Sequence, residues 1–386
     1  MLSLLRERVW YPPAETKIPW SAIRSAFFTQ SGSFKVELCN YMNVRNCILA
    51  ESARALLFKL IEILNLHDGG ERNEVLIPGY TCYSVAAAVA KANLKISVYD
   101  LDPKTLKPDI LSLEKALSEK TLAIVVQHLF GGLTPVHEIK RIAQRCSVYL
   151  IEDAAQAFGR IGNIIPGSLG DFGLLSFGRG KPLPIGGGGA LVSNRYSDIL
   201  NKIQLDGQEK GGKQAAIFAA TQIASKPAFY WILETLPFGL GETRFDPDFH
   251  VKGMSNTLEK VLINALSILD QLNSHRKIIA STYQRNIRPA NMILMSNENT
   301  PIFPRFPVLA KKGQLPVELQ RLGVRRLYPK ALNREAEILP YITNPYEFLI
   351  GAETLARDLV SLSTHHLIDD KTAEKIAYKF NQWIDS

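Results

Sequence analysis

Residues 151–159 (IEDAAQAFG) and 176–194 (SFGRGKPLPIGGGGALVSN) are the stretches that decide the fold of this chain. The first begins at the end of the strand-like run 148–151 (VYLI) and supplies the acid Asp153 just after it, a pattern that is typical of a buried strand end. The second places the hydroxyl of Ser176 and the amine of Lys181 in a glycine-rich turn, and a strand-like run follows the glycines. An acid, a hydroxyl and a lysine are therefore supplied by two neighbouring segments.

This set of groups suits a site for pyridoxal 5'-phosphate (PLP), in which a lysine forms a Schiff base and an aspartate holds the pyridinium nitrogen. A nucleotide loop is the competing interpretation of the glycines, and it fails. A P-loop needs glycine where Leu175 stands and Ser or Thr where Pro182 stands. A G-x-G-x-x-G fingerprint that begins at Gly178 needs glycine at Leu183. Taken alone, the segment is also consistent with a plain turn that carries a surface lysine.

The composition is that of an ordinary globular protein, since 46% of the 386 residues are hydrophobic and 21% are charged. This length is enough for one large domain and a smaller one. No uninterrupted apolar run is long enough for a membrane span, and residues 1–8 carry charge too early for a secretory signal. We therefore expect a cytoplasmic protein with no membrane span.

The distribution of charged and metal-binding residue types excludes two classes of partner. The formal net charge is +8, but the basic residues are dispersed and do not interleave with aromatic ones, so we expect no nucleic acid partner. The four cysteines and seven histidines show no metal-ligand spacing, so we expect reduced thiols and no metal. One local cluster of basic residues is present. We interpret it as a solvent-exposed face rather than a specific anion-binding site, and its members are Arg321, Arg325, Arg326 and Lys330.

Strand and helix signals alternate between residues 52 and 151, which predicts an α/β fold with a mainly parallel sheet covered by helices. The predicted helices are 52–66, 84–92, 110–117 and 136–146, and the predicted strands are 74–77, 95–99, 122–127 and 148–151. In such sheets, ligands bind beyond the carboxyl ends of the strands. Asp153, His128 and residues 78–83 all fall at such ends.

The regular alternation of strand and helix signals does not continue in the second half of the chain, and we place a domain boundary near residue 245. Residues 1–245 are expected to form a large PLP-binding domain with an irregular N-terminal lead-in, and residues 246–386 a smaller α+β C-terminal domain. The elements predicted in the smaller domain are an amphipathic helix at 258–273, a further helix to Tyr283, a strand at 303–309, a helix at 316–322 and a terminal helix from about Lys371.

Residues 214–240 are strongly apolar, but Lys226-Pro227 and Pro237 interrupt them, so they are too short to span a membrane. We expect a buried or subunit-interface helix pair in this segment. The alternative is a surface that touches a membrane or a lipid-linked substrate.

Further motifs follow one another in a fixed order along the chain. They are 77–82 (IPGYTC), 100–106 (DLDPKTL), 128–131 (HLFG), 152–156 (EDAAQ), 167–171 (GSLGD), 176–181 (SFGRGK) and 362–365 (LSTH). In this order and spacing they resemble the motifs of the sugar aminotransferase family DegT/DnrJ/EryC1/StrS, a branch of the fold-type-I PLP enzymes. The resemblance covers most of the chain, from about Ser31 to Asp385. It implies the cofactor PLP and a homodimer whose active site is completed across the interface.

The resemblance also implies a role for each matching residue. Lys181 would carry the cofactor and act as general base in the proton shift. Asp153 would hold the pyridine nitrogen protonated. Gln156 would contact the phenolic oxygen of the cofactor, and Ser176 would bind its phosphate.

Other residues would complete the cofactor and substrate contacts. Ser52, Ala53 and Arg54 stand at the start of the helix at 52–66, where free N–H groups and the helix dipole favour a phosphate. His128 and Tyr328 are expected to contact the substrate.

The chain departs from the family pattern at three places. Residues 51–54 (ESAR) replace the usual Ser-Gly-Thr, and the carboxylate of Glu51 would repel a phosphate unless it points away. Cys82 stands where the family has a ring that stacks on PLP. Residues 249–253 (FHVKG) lack the Asn and Arg of the segment that a neighbouring subunit lends to the phosphate. His250 or Lys252 is expected to substitute there, and we assign the role to Lys252.

These observations favour a PLP-dependent aminotransferase that moves an amino group, from glutamate as the expected donor, onto a keto-sugar nucleotide in amino-sugar or cell-surface polysaccharide biosynthesis. Its partners would be the nucleotide-sugar substrate and the amine donor. One alternative is another fold-type-I PLP enzyme that acts on an amino acid. Another is a non-catalytic binding or regulatory protein that keeps the fold, although the presence of Lys181, Asp153, Gln156 and Ser176 argues against it.

Overall fold

We describe the protein from a computed structural model. The structure describes residues 9–15, 17–21, 23, 32–208, 218–220, 222–235, 243–295, 299–345 and 347–386. The strands are β1 (Asn46–Ala50), β2 (Glu74–Pro78), β3 (Lys95–Tyr99), β4 (Thr121–Gln127), β5 (Tyr149–Asp153), β6 (Phe172–Ser176), β7 (Gly189–Ser193), β8 (Arg305–Leu309) and β9 (Leu359–Ser363).

The α-helices surround these strands. They are α1 (Phe34–Met42), α2 (Ala53–His67), α3 (Tyr83–Lys91), α4 (Ile110–Ala116), α5 (Val136–Arg145), α6 (Ser197–Asn201), α7 (Pro227–Thr235), α8 (Asn256–Leu266), α9 (Leu269–Asn286), α10 (Val317–Arg321), α11 (Ile350–Asp358) and α12 (Asp370–Asp385).

Strands β1 to β7 form one sheet in the order β1-β7-β6-β5-β4-β2-β3. The neighbouring pairs β6–β5, β5–β4, β4–β2 and β2–β3 are parallel, while β7 runs antiparallel to both β6 and β1. The prediction of a mainly parallel sheet is therefore confirmed. Strands β2 and β4 are buried along their whole length, as expected for parallel strands covered by helices on both faces.

The sheet brings the carboxyl ends of β4, β5 and β6 to one edge, because neighbouring parallel strands end at the same side. Helix α2 packs against β6 and β7 and points its N-terminus toward this edge. Its apolar face is buried, and residues such as Leu56, Leu60 and Ile61 are fully inaccessible. The local sequence thus places helix, acid and hydroxyl at one end of the sheet.

The predicted secondary structure needs one correction and several additions. The predicted helix at 258–273 is wrong, because α8 ends at Leu266 and α9 begins at Leu269 and continues to Asn286. The break falls at Ser267, whose hydroxyl bonds the carbonyl of Asn264 at 2.8 Å and so competes with the helix ladder. The sequence did not predict α1, β1, α6, α11 or β9, and of β6 it assigned only Ser176, to the glycine-rich turn.

Strand β6 escapes prediction because Gly173 lies in its middle. A Cβ at Gly173 would lie 1.8 Å from the carbonyl oxygen of Gly167, so only glycine allows the 167–171 turn to pack this closely on the strand. A glycine inside a five-residue apolar run weakens the strand pattern in the sequence, although the tertiary packing requires it.

Strands β8 and β9 form a separate antiparallel pair. Helices α9 and α12 pack over it, and their apolar residues form a core cluster with the strands. Residues 328–359 instead contribute to the core of the large sheet. The division into domains at residue 245 stays a prediction.

The apolar segment 214–240 is described only at 218–220 and 222–235, where the chain is helical apart from residues 225 and 226. Phe218 and Tyr230 are buried, whereas Phe229 and Ile232 are 48% and 40% exposed. The segment packs on the N-terminal lead-in, where the amide of Trp10 donates to the carbonyl of Pro227. Across the described ranges, no helix is both long and apolar enough to cross a bilayer.

Candidate active site

The carboxyl ends of β4, β5 and β6 and the N-terminus of α2 enclose a cavity of about 170 Å³. It lies at the sheet edge where the sequence predicted a ligand site. All the predicted site residues except Lys252 line it, namely Ser52, Ala53, Arg54, Cys82, His128, Asp153, Gln156, Ser176, Lys181 and Tyr328. The fold therefore brings together groups that are spread over more than half of the chain.

Asp153 is the last residue of β5 and is half-buried at the sheet edge. Its Oδ1 accepts a hydrogen bond from the amide of Ala155 at 3.0 Å. Burial raises the pKa of Asp153, while the nearby Lys181 ammonium works in the opposite direction. A half-buried carboxylate of this kind is a suitable partner for a cationic group in the cavity.

Lys181 lies in a loop between β6 and β7 that is held at both ends. The amide of Ile185 donates to the carbonyl of Phe177 at 2.9 Å, and Gly180 has φ +77°, which favours glycine. From α9, the buried Arg276 donates to the carbonyl of Pro182 at 2.9 Å. The residue after Lys181 is therefore anchored to a helix that lies almost a hundred residues later in the chain.

The N-terminus of α2 forms the floor of the cavity together with Ser176. Ser52 is the N-cap of α2, and its Oγ accepts from the amide of Ala55 at 3.2 Å. Gly189 makes the approach of β7 to this helix end possible, because a Cβ there would lie 2.4 Å from the amide nitrogen of Ala53. A helix N-terminus next to a serine hydroxyl is a suitable place for a phosphate.

The two charged residues near this helix end are engaged elsewhere in the chain. The guanidinium of Arg54 lies 4.2 Å from the ring centre of Phe249 and donates to the carbonyl of Asp246 at 3.2 Å. Oε1 of Glu51 accepts from the amide of Lys252 at 3.1 Å, and Glu51 does not line the cavity. The carboxylate of Glu51 thus points away from the proposed phosphate position, and the phosphate contact of Arg54 stays a prediction.

Gln156 and Tyr328 form a connected pair on the opposite side of the cavity. Oε1 of Gln156 accepts from the amide of Phe130 at 2.9 Å, and its Nε2 donates to the hydroxyl of Tyr328 at 3.0 Å. These bonds fix the amide orientation and leave Nε2 a second hydrogen. The ring of Tyr328 packs edge-on against that of Tyr80, with centroids 5.0 Å apart.

Both ring nitrogens of His128 form hydrogen bonds within the protein, which limits the kind of contact that it can make with a substrate. Its Nδ1 accepts from the amide of Thr134 at 3.2 Å, so its Nε2 carries the hydrogen and donates to Glu152 at 2.9 Å. Because both nitrogens are already hydrogen-bonded, His128 contacts the cavity through its ring carbons rather than through a polar group. Its contact with substrate stays a prediction, as a packing contact.

Glu152 is fully buried below His128 and serves as an anchor for the 167–171 turn. Its carboxylate accepts from the amides of Gly167 at 3.0 Å, Leu169 at 2.6 Å and Gly170. Burial by itself raises the pKa of Glu152, but the hydrogen bond and charge of His128 together with these amides outweigh it, so the pKa is lowered. The charge is therefore retained in the protein interior.

Cys82 and Lys252 are the two remaining predicted cofactor residues. Cys82 is the N-cap of α3 and lines the cavity, and its sulfur accepts from the hydroxyl of Ser84 at 3.0 Å. Lys252 lies outside the cavity of its own chain, where its amide and carbonyl pair with Glu51. A role of Lys252 in a neighbouring subunit stays a prediction.

A second cavity of about 520 Å³ adjoins the first one. The two cavities share the lining residues Cys82, Gln156, Lys181 and Tyr328. The rest of the larger cavity is lined by Pro13, Ala14, Glu15, Arg179, Gly180, Pro184, Gly186, Phe218, Gln222, Tyr230, Thr243, Pro304, Arg305 and Leu327. Lys181 therefore stands between a small cavity at the sheet edge and a large one built from remote segments.

Sequence reasoning missed three residues that shape this region. Gln127 supports the 78–83 turn, since its Nε2 donates to the carbonyl of Tyr80 at 2.6 Å, and its position directly before His128 was the available signal. Arg276, which belongs to none of the motifs in the sequence, lies inside α9. Arg305 belongs to a run that was read only as a strand.

Comparison with known proteins gives a consistent result. The model of the DegT/DnrJ/EryC1/StrS aminotransferase family matches residues 22–381. An L-glutamine:2-deoxy-scyllo-inosose aminotransferase from Micromonospora echinospora is 28% identical over 255 residues, which is 64% of this chain. The aligned region spans about half of that relative's length, 54%.

Two further proteins are similar over most of the chain. A pleiotropic regulatory protein from Geobacillus stearothermophilus is 27% identical over 327 residues, covering 81% of this chain and 79% of the relative. The structure of DesI in the presence of its TDP-sugar product superposes with a TM-score of 0.73 at 18% identity, covering 98% of this chain and 93% of that one. The likeness to DesI concerns the fold.

Proposed function

The chain belongs to the DegT/DnrJ/EryC1/StrS aminotransferase family, and from this premise we propose that it is a PLP-dependent aminotransferase acting on a keto-sugar. The observation that carries the proposal is that the Lys181 amine and the half-buried carboxylate of Asp153 line one cavity beside a helix N-terminus. A plain turn with a surface lysine would not place these groups together.

The residues around the smaller cavity fit PLP in the chemistry of their donor set. Asp153 would hold the pyridine nitrogen, and Gln156 would contact the phenolic oxygen through its second amide hydrogen. The phosphate would be bound by Ser176, the hydroxyl of Ser52 and the N–H groups at the start of α2, including those of Ala53 and Arg54. Cys82 would pack against the ring.

When bound, PLP supplies an electron-withdrawing ring that stabilises negative charge on the carbon from which a proton is removed. The chain's own residues control the rest. The Asp153 carboxylate favours a protonated ring nitrogen, and the Lys181 amine takes and returns the proton at the substrate carbon. The anchoring of Pro182 by Arg276 limits how far the Lys181 loop can move away from the cavity.

We propose that the donor is an amino acid, glutamate or glutamine, and that the acceptor is a keto-sugar nucleotide. The Micromonospora relative uses L-glutamine according to its name, and the DesI structure was determined with a TDP-sugar product. The 520 Å³ cavity next to Lys181 is large enough for a small-molecule substrate.

The test is a pair of half-reactions followed by absorption. The PLP-loaded protein is mixed with each amino acid in turn, and conversion of the cofactor to its amine form is recorded. Nucleotide-linked and free keto-sugars are then added to the converted protein, and recovery of the original spectrum identifies the acceptor. If no amino acid converts the cofactor although PLP is bound, the aminotransferase proposal is wrong.

A regulatory protein that keeps the fold is the second candidate, and the similarity to the Geobacillus regulatory protein supports it. This candidate does not require turnover. It predicts that Lys181→Ala leaves the regulatory effect in the cell unchanged, whereas an enzyme loses its effect with the lysine. The half-reaction assay separates the two candidates directly.

We also propose that the working unit is a homodimer in which Lys252 of one subunit supports the phosphate in the other. The segment 249–253 lies beside Glu51 at the start of α2, and Lys252 does not line the cavity of its own chain. A point charge from Lys suffices for a phosphate contact.

Subunit mixing tests this arrangement. Lys181→Ala subunits mixed with Lys252→Ala subunits should regenerate one intact site in each heterodimer, and activity should reappear. A mixture that exchanges subunits without recovering activity, or an active monomer in sedimentation, would refute the shared site.

A further inference from the structure

The 520 Å³ cavity next to Lys181 contains two arginines that none of the cofactor roles uses. Arg179 stands two residues before Lys181 in the same loop, and Arg305 is the first residue of β8. The two side chains come from segments more than a hundred residues apart and face the same cavity. Two cations in one cavity require an explanation, since like charges repel at short range.

Arg179 has a hydrogen-bonding group that is not satisfied. Its Nη2 donates to the hydroxyl of Tyr230 at 3.3 Å, and its Cζ lies 5.7 Å from the centre of that ring. Its Nη1 is buried and has no hydrogen-bond partner among the residues that the structure describes. A buried N–H of a charged group is costly to leave without an acceptor, so this atom is suited to a ligand oxygen.

Arg305 is held in place by a neutral group. Its Nη1 donates to the hydroxyl of Ser361 at 3.1 Å. Burial, together with the charges of Arg325 and Arg179, lowers its pKa to about 10. Arg325 has a carboxylate partner, Glu234 at 2.7 Å, whereas no ion pair joins Arg305 or Arg179 to a carboxylate within the described ranges.

Among the residues that the structure describes, the acid that lines this cavity forms no ion pair with Arg179 or Arg305. Glu15 lines the same cavity, and its carboxylate accepts from the hydroxyl of Ser225 at 2.7 Å and from the amide of Gln222 at 3.4 Å. These partners lie on the 218–235 segment. Glu15 thus ties the N-terminal lead-in to that segment, and the cationic side of the cavity is left for another anion.

We propose that Arg179 and Arg305 form a recognition site for an oxyanion carried by a substrate, either a carboxylate of the amine donor or a phosphate of the sugar acceptor. Guanidinium groups suit both, because their planar N–H donors bind carboxylate and phosphate in a bidentate manner. The site rests on the proposed aminotransferase function, since it places the anion beside the Lys181 amine. It makes Arg179 and Arg305 determinants of substrate specificity.

The test measures binding without turnover. PLP-loaded protein is reduced with borohydride, which fixes the cofactor on its lysine, and is titrated in a calorimeter with glutarate and, separately, with inorganic pyrophosphate. We expect the wild type to bind at least one probe. Arg179→Gln should weaken that probe about tenfold or more, since it removes charge-assisted hydrogen bonds. Loss of glutarate binding assigns the site to the donor carboxylate, and loss of pyrophosphate binding assigns it to the acceptor phosphate.

Matched variants keep the result interpretable. Arg305→Lys retains the charge at a half-buried position and should weaken the same probe by a smaller factor than Arg179→Gln. Arg334→Gln removes an arginine that is 54% exposed and pairs with Glu353, and it should leave binding unchanged. Wild-type protein that binds neither probe, or variants that bind both probes as the wild type does, would overturn the proposal.

Failure of this site is distinguishable from failure of the proposed function. If the protein takes up no PLP, the proposed function fails before any probe is added. The same two titrations on the untreated protein then test Arg179 and Arg305 alone, with weaker binding in Arg179→Gln as the supporting result and unchanged or absent binding as the contrary one.

Discussion

The two walls on either side of Lys181 are built in different ways. The sheet wall consists of strand ends and a helix N-terminus, and its groups, Asp153, Ser176 and Ser52, are positioned by the backbone itself. The opposite wall consists of long side chains, such as Arg305 and Tyr230, that arrive from remote segments. A wall set by strand register holds one ligand in one position, whereas a wall of side chains can change its specificity by substitution. We therefore assign the sheet wall to the cofactor and the remote wall to the substrates.

The largest effect should come from the residue that the two walls share. Lys181→Ala removes the amine that moves the proton, so kcat should fall by roughly a thousandfold or more. Stopped-flow absorption with the best amino acid donor measures it. Lys202→Ala is the control, because Lys202 is exposed and lies outside both cavities. A Lys181→Ala enzyme that retains a tenth of the activity would remove the central role from this lysine.

Substitution of Asp153, in the sheet wall, should lower activity without lowering the stability of the fold. Asp153→Asn should lower kcat by about a hundredfold, because an amide cannot hold the ring nitrogen protonated, which weakens the electron-withdrawing ring. Activity within a few-fold of the wild type would contradict the assigned role.

The same variant should not weaken the fold. The pKa of Asp153 is raised by burial above its ordinary value of 3.8. Ionisation of a carboxyl with a raised pKa therefore opposes folding as the pH climbs from 3.8 through the folded-state pKa. Cofactor-free Asp153→Asn should then unfold in urea at pH 7 at the same concentration as the wild type or higher. Marked destabilisation would indicate that Asp153 is mainly a structural residue.

Substitution of Glu152, which lies beneath the sheet wall, should change the stability of the protein and the pH dependence of that stability. Glu152→Gln weakens the bonds to His128 and to the 167–171 turn, so the free energy of unfolding at pH 7 should fall by about 1.5–3 kcal/mol. The pKa of Glu152 is lowered from 4.5, so its contribution is present above about pH 4.5 and is lost as the pH falls through the folded-state pKa. Urea titrations should show a smaller difference in the free energy of unfolding between variant and wild type at pH 4 than at pH 7. Glu374→Gln, at an exposed position of α12, should show no gap at either pH.

The remote wall should show the smallest effect, and it should appear in KM. Tyr230→Phe removes the hydroxyl that accepts from Arg179 at 3.3 Å. We expect KM for one substrate to rise by about three- to tenfold, as for the loss of one hydrogen bond, with unchanged PLP affinity. Steady-state kinetics with each substrate varied in turn measures this. A loss of PLP binding in Tyr230→Phe would break the assignment of the two walls to two ligands.

The same difference between the walls explains what the sequence could predict. Each sheet-wall residue follows a strand or starts a helix that its own neighbours specify, so Asp153, Ser176, Lys181 and the start of α2 were predicted from short motifs. Even there, β6 was missed because Gly173 is required by packing against Gly167 rather than by the strand pattern.

The remote wall could not be predicted in this way. Arg305 lies on β8, which pairs with the distant β9, and Glu15 accepts hydrogen bonds from Ser225 and Gln222, about two hundred residues later in the chain. No local pattern in the sequence encodes those contacts. Arg276 lies inside α9, and its hydrogen bond to the carbonyl of the distant Pro182 makes it an anchor of the Lys181 loop.

The most direct test of the account is to find the amino acid that carries the cofactor. The protein is loaded with PLP, reduced with borohydride and digested, and the peptides are analysed by mass spectrometry. We predict that the pyridoxyl mass lies on the peptide that contains Lys181 and that the reduced protein can no longer convert an amino acid. A label on another lysine, or PLP that washes off after reduction, would contradict the placement of the cofactor between the two walls.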